Sequence, residues 1–122
     1  MTGNSDYEAT MAAQSADVQA MAAAVQAFAK GQGVPLDAAV KWGQPSLAPP
    51  KRCGTSVRIG EVAGKAVLFV HCGSPVIERF LDIAPTAKVE GKRAFFPDGP
   101  DDPAVPLFLN IAFGYRLVAG PR

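Results

Sequence analysis

Residues 55–72 read TSVRIGEVAGKAVLFVHC, and they contain the two clearest strands of the chain. In Thr55–Ile59, side chains that suit a buried face alternate with polar ones, which is typical of a half-buried strand. Residues 66–72 form a continuous apolar run, which predicts a strand buried on both faces and therefore central in a sheet. Gly60–Lys65 lies between these two runs and predicts a hairpin loop with Gly64 at its tip.

The chain before this hairpin is predicted to be helical. Apolar residues recur there at three- and four-residue steps, the spacing that aligns side chains on one helical face: Val18, Met21, Val25 and Phe28. The first thirty residues therefore predict one helix, which Lys30 and Gly31 would end. Pro35 then predicts the first turn of a short helical piece that runs through Val40.

The chain after the hairpin is predicted to form another helix and a second hairpin. Ser74 followed by Pro75 indicates a helix start, with the Ser74 hydroxyl as the N-cap. Ala87–Glu90 and Arg93–Phe96 predict two strands joined by a two-residue turn.

Helices at both ends, with hairpins grouped between them, indicate an α+β fold in which helices cover a small antiparallel sheet. The last helix is predicted from a cap at Asp102 to about Val118. A chain of 122 residues has the length of one domain. We expect a partly flexible N-terminal segment over residues 1–14, a single domain over residues 15–118 and a tail over residues 119–122.

The composition argues against several classes of partner. Twelve Lys and Arg against eleven Asp and Glu leave a formal net charge of +1, so no overall field draws the protein to nucleic acid or to an anionic membrane. The two cysteines, Cys53 and Cys72, match neither a redox pair nor a zinc site and predict reduced, mostly buried thiols. We expect a cytoplasmic protein without an export signal or a membrane-spanning segment.

Lys41–Leu47 (KWGQPSL) holds the only tryptophan of the chain. Gly43 permits a backbone angle that other residues resist, and Pro45 restricts the next part of the chain. One interpretation is a packed corner at a helix-to-strand junction, with Trp42 as its apolar anchor. The other interpretation uses Trp42 and Gln44 as walls of a ligand pocket.

Two further polar residues are candidates for the same pocket. Arg58 is predicted to pair across the first hairpin with the strand that holds Phe69 and His71. A guanidinium on a partly apolar face needs a carboxylate, such as Glu78 or Glu90, or else an anionic ligand. His71 is predicted at the exit of its strand, where it bonds a backbone carbonyl or faces the pocket.

Five strings spread over residues 15–118 resemble the YdhG-like family of domains of unknown function: Lys41–Ser46 (KWGQPS), Gly54–Ile59 (GTSVRI), Phe69–Cys72 (FVHC), Arg79–Phe80 (RF) and Val89–Ala94 (VEGKRA). The resemblance implies a small cytoplasmic α+β domain. Some members of the family are described as frataxin-like iron chaperones, which hand ferrous iron to iron–sulfur cluster assembly.

The residues themselves predict no metal site. Ferrous iron needs several oxygen ligands close together, with imidazole as an option. The first helical region offers only three widely spaced carboxylates. The loop Asp98–Pro103 holds three more, which turn formation and helix capping explain.

The first functional prediction is a non-catalytic binding module in which Trp42, Gln44, Arg58 and His71 border a pocket for a small polar or anionic ligand. The alternatives are a frataxin-like chaperone that carries ferrous iron and a protein-interaction domain. Because neighbouring residues on a strand point to opposite faces, His71 could activate Cys72 only if the strand ends before them, and no third residue is identifiable to orient the pair. No catalytic residue and no resident cofactor is predicted, and the oligomeric state is left open.

Overall fold

The computed structural model describes the backbone of residues 2–118 and the side chains of residues 6–115. Within these ranges the chain forms, in order, α1 (Thr2–Ala12), α2 (Ala16–Gly31), β1 (Asp37–Lys41), β2 (Gln44–Ala48), β3 (Val57–Val62), β4 (Lys65–Phe69), α3 (Val76–Ile83), β5 (Val89–Glu90), β6 (Ala94–Phe95) and α4 (Ala104–Val118). The predicted tail over residues 119–122 lies outside the described residues.

The strands form one antiparallel sheet of six strands in the order β1-β2-β3-β4-β6-β5. With a helix at both ends and helices over the sheet, this confirms the predicted α+β class. The central hairpin is also confirmed, although its turn is shorter than expected. Val62 pairs with Lys65, which leaves a turn of two residues, Ala63 and Gly64, both with positive φ.

All four helices contribute to one apolar core on one face of the sheet, which we call the helical face. Its centre is a cluster of three aromatic rings from α3, β6 and α4, namely Phe80, Phe95 and Phe108, with ring centroids 4.6–5.2 Å apart. Ile59 and Leu68 enter the same core from the central strands and are fully buried. Among the described residues, no helix is long and apolar enough to cross a membrane.

The N-terminal region is two helices rather than the single helix predicted. Ser15 interrupts it and caps α2, because its hydroxyl accepts a hydrogen bond from the Val18 N–H at 3.3 Å. Ser at such a position satisfies a helix N–H that otherwise has no partner. Of the predicted apolar stripe of α2, Val18, Met21 and Val25 are buried and Phe28 is half-buried. Asp17 in the first turn accepts a 2.6 Å bond from the N–H of Ala66 in β4. The predicted flexibility of residues 1–14 stays a prediction.

The short helix predicted from Pro35 to Val40 is wrong, because this segment contains strand β1. The string that follows is therefore a hairpin turn and not a helix-to-strand junction. Lys41 pairs with Gln44, and φ is 57° at Trp42 and 72° at Gly43. Two positive φ values are those of a type I′ turn, which matches the right-handed twist of the strands on either side.

Three smaller predictions also need correction. The N-cap position of α3 is Pro75, with no side-chain cap, while the Ser74 hydroxyl donates instead to the carbonyl of His71 at 2.7 Å. In the second hairpin Glu90 pairs with Ala94, so its turn has three residues rather than two. The thiols are not mostly buried, since one cysteine is half-buried and Cys72 is exposed. By contrast, the predicted cap of α4 is confirmed, because Asp102 Oδ1 accepts from the Ala104 N–H at 2.9 Å.

Candidate functional site

The face of the sheet opposite the helices, which we call the open face, carries a row of side chains that runs across four strands. The register places Ser46 beside Arg58, Arg58 beside Phe69, and Phe69 beside Ala94. Ser46 and Ala94 are buried, whereas Arg58 and Phe69 are half-buried. The row therefore exposes part of one cation and part of one aromatic ring to solvent, between two small buried side chains.

Arg58 is held in place by two neighbours on this face. Its Nη1 donates a 2.7 Å hydrogen bond to Oε1 of Gln44, and its guanidinium lies 5.2 Å from the centre of the Phe69 ring. Both contacts have geometry that stabilises a cation, one through an amide acceptor and one through the face of a π-system. We call Gln44, Arg58 and Phe69 the arginine cluster.

Gly60 makes room for the arginine cluster. A Cβ at this position would stand 2.5 Å from Nε2 of Gln44 and 2.8 Å from Cε2 of Phe69. Glycine inside a strand often marks a place where another group approaches the backbone closely. Here the side chains of Gln44 and Phe69 approach from the two neighbouring strands.

The arginine cluster holds a positive charge that no carboxylate of the described residues neutralises. The ion pair found in that part of the chain joins Lys92 and Glu78 at 3.5 Å on the surface, so Glu78 is not a partner of Arg58. Burial, together with the positive charge of Arg93, lowers the pKa of Arg58. The internal ion pair considered from the sequence is therefore absent among the described side chains.

Trp42 lies apart from the arginine cluster. At the tip of the β1–β2 turn it is 88% exposed, so it packs against very little of its own chain. The packed corner considered from the sequence is therefore wrong.

His71 lies at the other end of the sheet, two residues beyond β4 and away from the β1–β2 turn. Its side chain is exposed, and Nδ1 accepts a 3.0 Å bond from the N–H of Gly73. It lines a cleft of about 350 Å³ with Thr55, Ser74 and Tyr115 among others. Nδ1 of His71 is therefore used by a hydrogen bond within its own tight turn.

The structure thus joins Gln44 and Arg58 by a hydrogen bond, leaves Trp42 almost fully exposed at the turn and carries His71 to the other end of the sheet. Sequence reasoning missed Phe69, Gly60 and Arg93 as members or neighbours of the site. Phe69 could have been found, because the predicted hairpin already pairs Arg58 with the strand and the face that hold Phe69, and only the shorter turn brings the two residues directly opposite each other. No group of three or more His, Cys, Asp or Glu side chains within the described ranges is placed to hold a metal ion.

The arrangement can recognise an anion but shows no nucleophile or acid–base pair at the cluster. No protein-family model, curated protein or solved structure matches the chain. The resemblance to the YdhG-like family stays a prediction.

Proposed function

We propose that this protein is a non-catalytic binding module that holds a small anionic ligand at Arg58 on the open face. The observation that carries the proposal is a half-buried arginine whose guanidinium is fixed by Gln44 and Phe69 and makes no ion pair with any described carboxylate. Partial removal of a charge from water has a cost that pairing with an opposite charge offsets. An anionic ligand would supply the missing partner.

The chemistry of the guanidinium favours a carboxylate or a phosphate as the anionic group. Arginine carries five N–H donors in a planar fork, and the contact with Gln44 uses one of its nitrogens. The remaining donors can form two parallel bonds to a carboxylate or phosphate, which is a strong and directional arrangement. The ring of Phe69 restricts the plane of the fork and so reduces the ordering cost of binding.

The first experiment is a thermal-shift panel under anaerobic conditions with inorganic phosphate, sulfate, acetate, citrate, ferrous iron and other divalent cations. A ligand that binds only the folded state at about 100 times its Kd raises stability by about 2.7 kcal/mol. We expect a rise in Tm with one class of anion, and loss of this rise in Arg58→Gln. Lysine at the same position should restore only part of it, because an ammonium cannot form the bidentate fork.

Arg79→Gln is the matched control, because Arg79 is a second half-buried arginine beside an aromatic ring, 6.0 Å from the centre of Tyr115. It should leave the anion response unchanged. A response that survives Arg58→Gln, or that Arg79→Gln also abolishes, would contradict the assignment to the open face.

The same panel tests the predicted alternatives. A selective rise with ferrous iron, unaffected by Arg58→Gln, would favour the iron-chaperone alternative over an anion-binding module. A flat response to every anion and cation would contradict both and leave the protein-interaction domain as the alternative to pursue.

A further inference from the structure

β1 is an edge strand of the sheet. It pairs with β2 along one side, and within the described residues no strand pairs with its other side. α1 packs against β1 and β2, and its buried Tyr7 belongs to the core of the helical face, where Gln26 of α2 donates a 3.1 Å hydrogen bond to the Tyr7 hydroxyl. Asp37 and Lys41, at the two ends of β1, are both exposed. An unpaired edge strand offers a row of backbone donors and acceptors to another strand.

The β1–β2 register shows which backbone groups of β1 are free. A two-residue turn is closed by a hydrogen-bonded pair, here Lys41 and Gln44. Such pairs alternate with non-bonded ones, so the N–H and C=O of Ala38 and Val40 point away from β2. Pro45 lies opposite Val40 and agrees with this pattern, since a residue without an N–H is tolerated at a non-bonded pair. No hydrogen bond among the described residues reaches these outward groups.

The sequence of β1 is complementary to itself in the antiparallel direction. Asp37 begins the strand and Lys41 ends it, with small apolar residues between them. Pairing about Ala39 places each Asp37 opposite Lys41 of the other copy. It also places Ala38 opposite Val40, so that the outward backbone groups face each other and each such pair exchanges two bonds. Neither Asp37 nor Lys41 makes an ion pair within the described side chains.

The same register gives Trp42 an apolar neighbour. One position beyond Lys41 it comes alongside Leu36 of the other copy, a residue that lines an apolar cavity of about 630 Å³. Val34, Pro35 and Ala38 also line this cavity. An indole that is 88% exposed on the single chain would lose water contact there, and burying aromatic surface is a large favourable contribution in protein interfaces.

We infer that two copies of this chain associate through their β1 edges, antiparallel and centred on Ala39, with Trp42 of each copy against Leu36 of the other. The interface is isologous, because each copy contributes the same strand. It joins the two six-stranded sheets into one continuous sheet of twelve strands.

Sedimentation velocity over a concentration series tests this inference. The wild-type mass should rise from 12.7 kDa towards twice that value as concentration increases. Lys41→Asp places two carboxylates opposite each other at both ends of the interface and should raise the dimer Kd about tenfold. The double variant Asp37→Lys with Lys41→Asp reverses both charges and should restore the wild-type Kd.

Two further variants separate the interface from effects on folding. Val40→Pro removes an outward N–H that β1–β2 pairing does not use, so it should abolish the dimer while circular dichroism shows an intact fold. Lys65→Asp changes the equivalent lysine beside the β3–β4 turn and should leave the Kd unchanged. A mass of 12.7 kDa at every concentration, or a Kd that Lys41→Asp leaves unchanged, would overturn the inference.

Discussion

Phe95 and Phe69 lie on opposite faces of the same sheet, and their surroundings differ in kind. Phe95 on the helical face is 1% exposed and packs against Phe80 with ring centroids 4.6 Å apart. Phe69 on the open face is half-buried, and the guanidinium of Arg58 lies 5.2 Å from the centre of its ring. One ring contributes to a dry core, while the other positions a charge that water still reaches.

This difference divides the two faces by role. Burial of apolar surface on the helical face supplies most of the folding free energy, because its residues lose nearly all contact with water. The open face buries fewer large side chains, Val67 among them, and holds a polar side chain and a charge in fixed positions, as the proposed anion site requires. Four variants test or refine this division.

The largest effect is expected for Phe108→Ala on the helical face. Phe108 is fully buried and packs against both Phe80 and Phe95. Its truncation leaves a cavity and should lower the free energy of unfolding by about 3–5 kcal/mol, measured by urea denaturation. Phe69→Ala is the control from the open face and should cost clearly less. Equal losses in the two variants would remove the proposed division.

Gly60→Ala tests how closely the arginine cluster is packed. The new methyl group would displace the ends of Gln44 and Phe69, and we expect a loss of about 1 kcal/mol together with weaker anion binding. Gly114→Ala is matched to it, because its Cβ would meet no atom within 4 Å. In the interior of α4 this control should stabilise the protein by about 0.5–1 kcal/mol. Unchanged anion affinity in Gly60→Ala would show that the position of Gln44 and Phe69 is unimportant.

A smaller, pH-dependent effect is expected on the helical face at Tyr7. Burial raises the pKa of Tyr7 from its ordinary value of 10.0, and the hydrogen bond with Gln26 opposes part of this shift. The folded state therefore holds the phenol proton more tightly than the unfolded state. This contribution to stability is complete below pH 10.0 and is lost as the pH rises through the folded-state pKa.

Tyr7→Phe isolates this contribution. The difference in unfolding free energy between wild type and Tyr7→Phe should stay constant below pH 10.0 and change above it, with the wild type losing stability relative to the variant. Parallel stability curves across that range would show that the phenol is not in a desolvated site.

The smallest effect is expected for Trp42→Asn at the β1–β2 turn. Residues other than glycine resist the left-handed region, and Asn resists it less than Trp does. We expect a gain of about 0.5 kcal/mol, measured by thermal unfolding of dilute protein. Ala63→Asn at the β3–β4 turn, where φ is 54°, should give a comparable gain. Only Trp42→Asn should also weaken self-association, and equal effects of both variants on the dimer Kd would contradict the interface.

Local sequence patterns predicted the centre of the fold but not its edge. The alternation in Thr55–Ile59 and the apolar run after it identified β3 and β4, because these strands are buried on the faces that their patterns indicate. Residues 37–40 contain two alanines after a proline and locally favour a helix. They form a strand because β2 pairs along their whole length, and local propensity does not contain such tertiary pairing.

The part of the candidate site on the central hairpin was predictable from the sequence, whereas the part that depends on the edge of the sheet was not. The central hairpin predicted which strand Arg58 faces, but the pairing of Arg58 with Phe69 follows from a turn shorter than the one predicted. The contact with Gln44 depends on β2 lying beside β3, which the sequence alone left open. His71 and Trp42 were grouped with them by residue type, but β4 runs away from the β1–β2 turn and so carries His71 to the other end of the sheet.

The exposed position of Trp42 also determines what an optical measurement on this protein reports. It is the only tryptophan, and on the single chain its indole is already in water. Unfolding of the aromatic core should therefore shift the emission maximum very little, and a fluorescence melting curve would miss the main transition. When two copies pair, the same indole should emit at shorter wavelength and resist acrylamide quenching. Its emission maximum therefore reports assembly rather than folding.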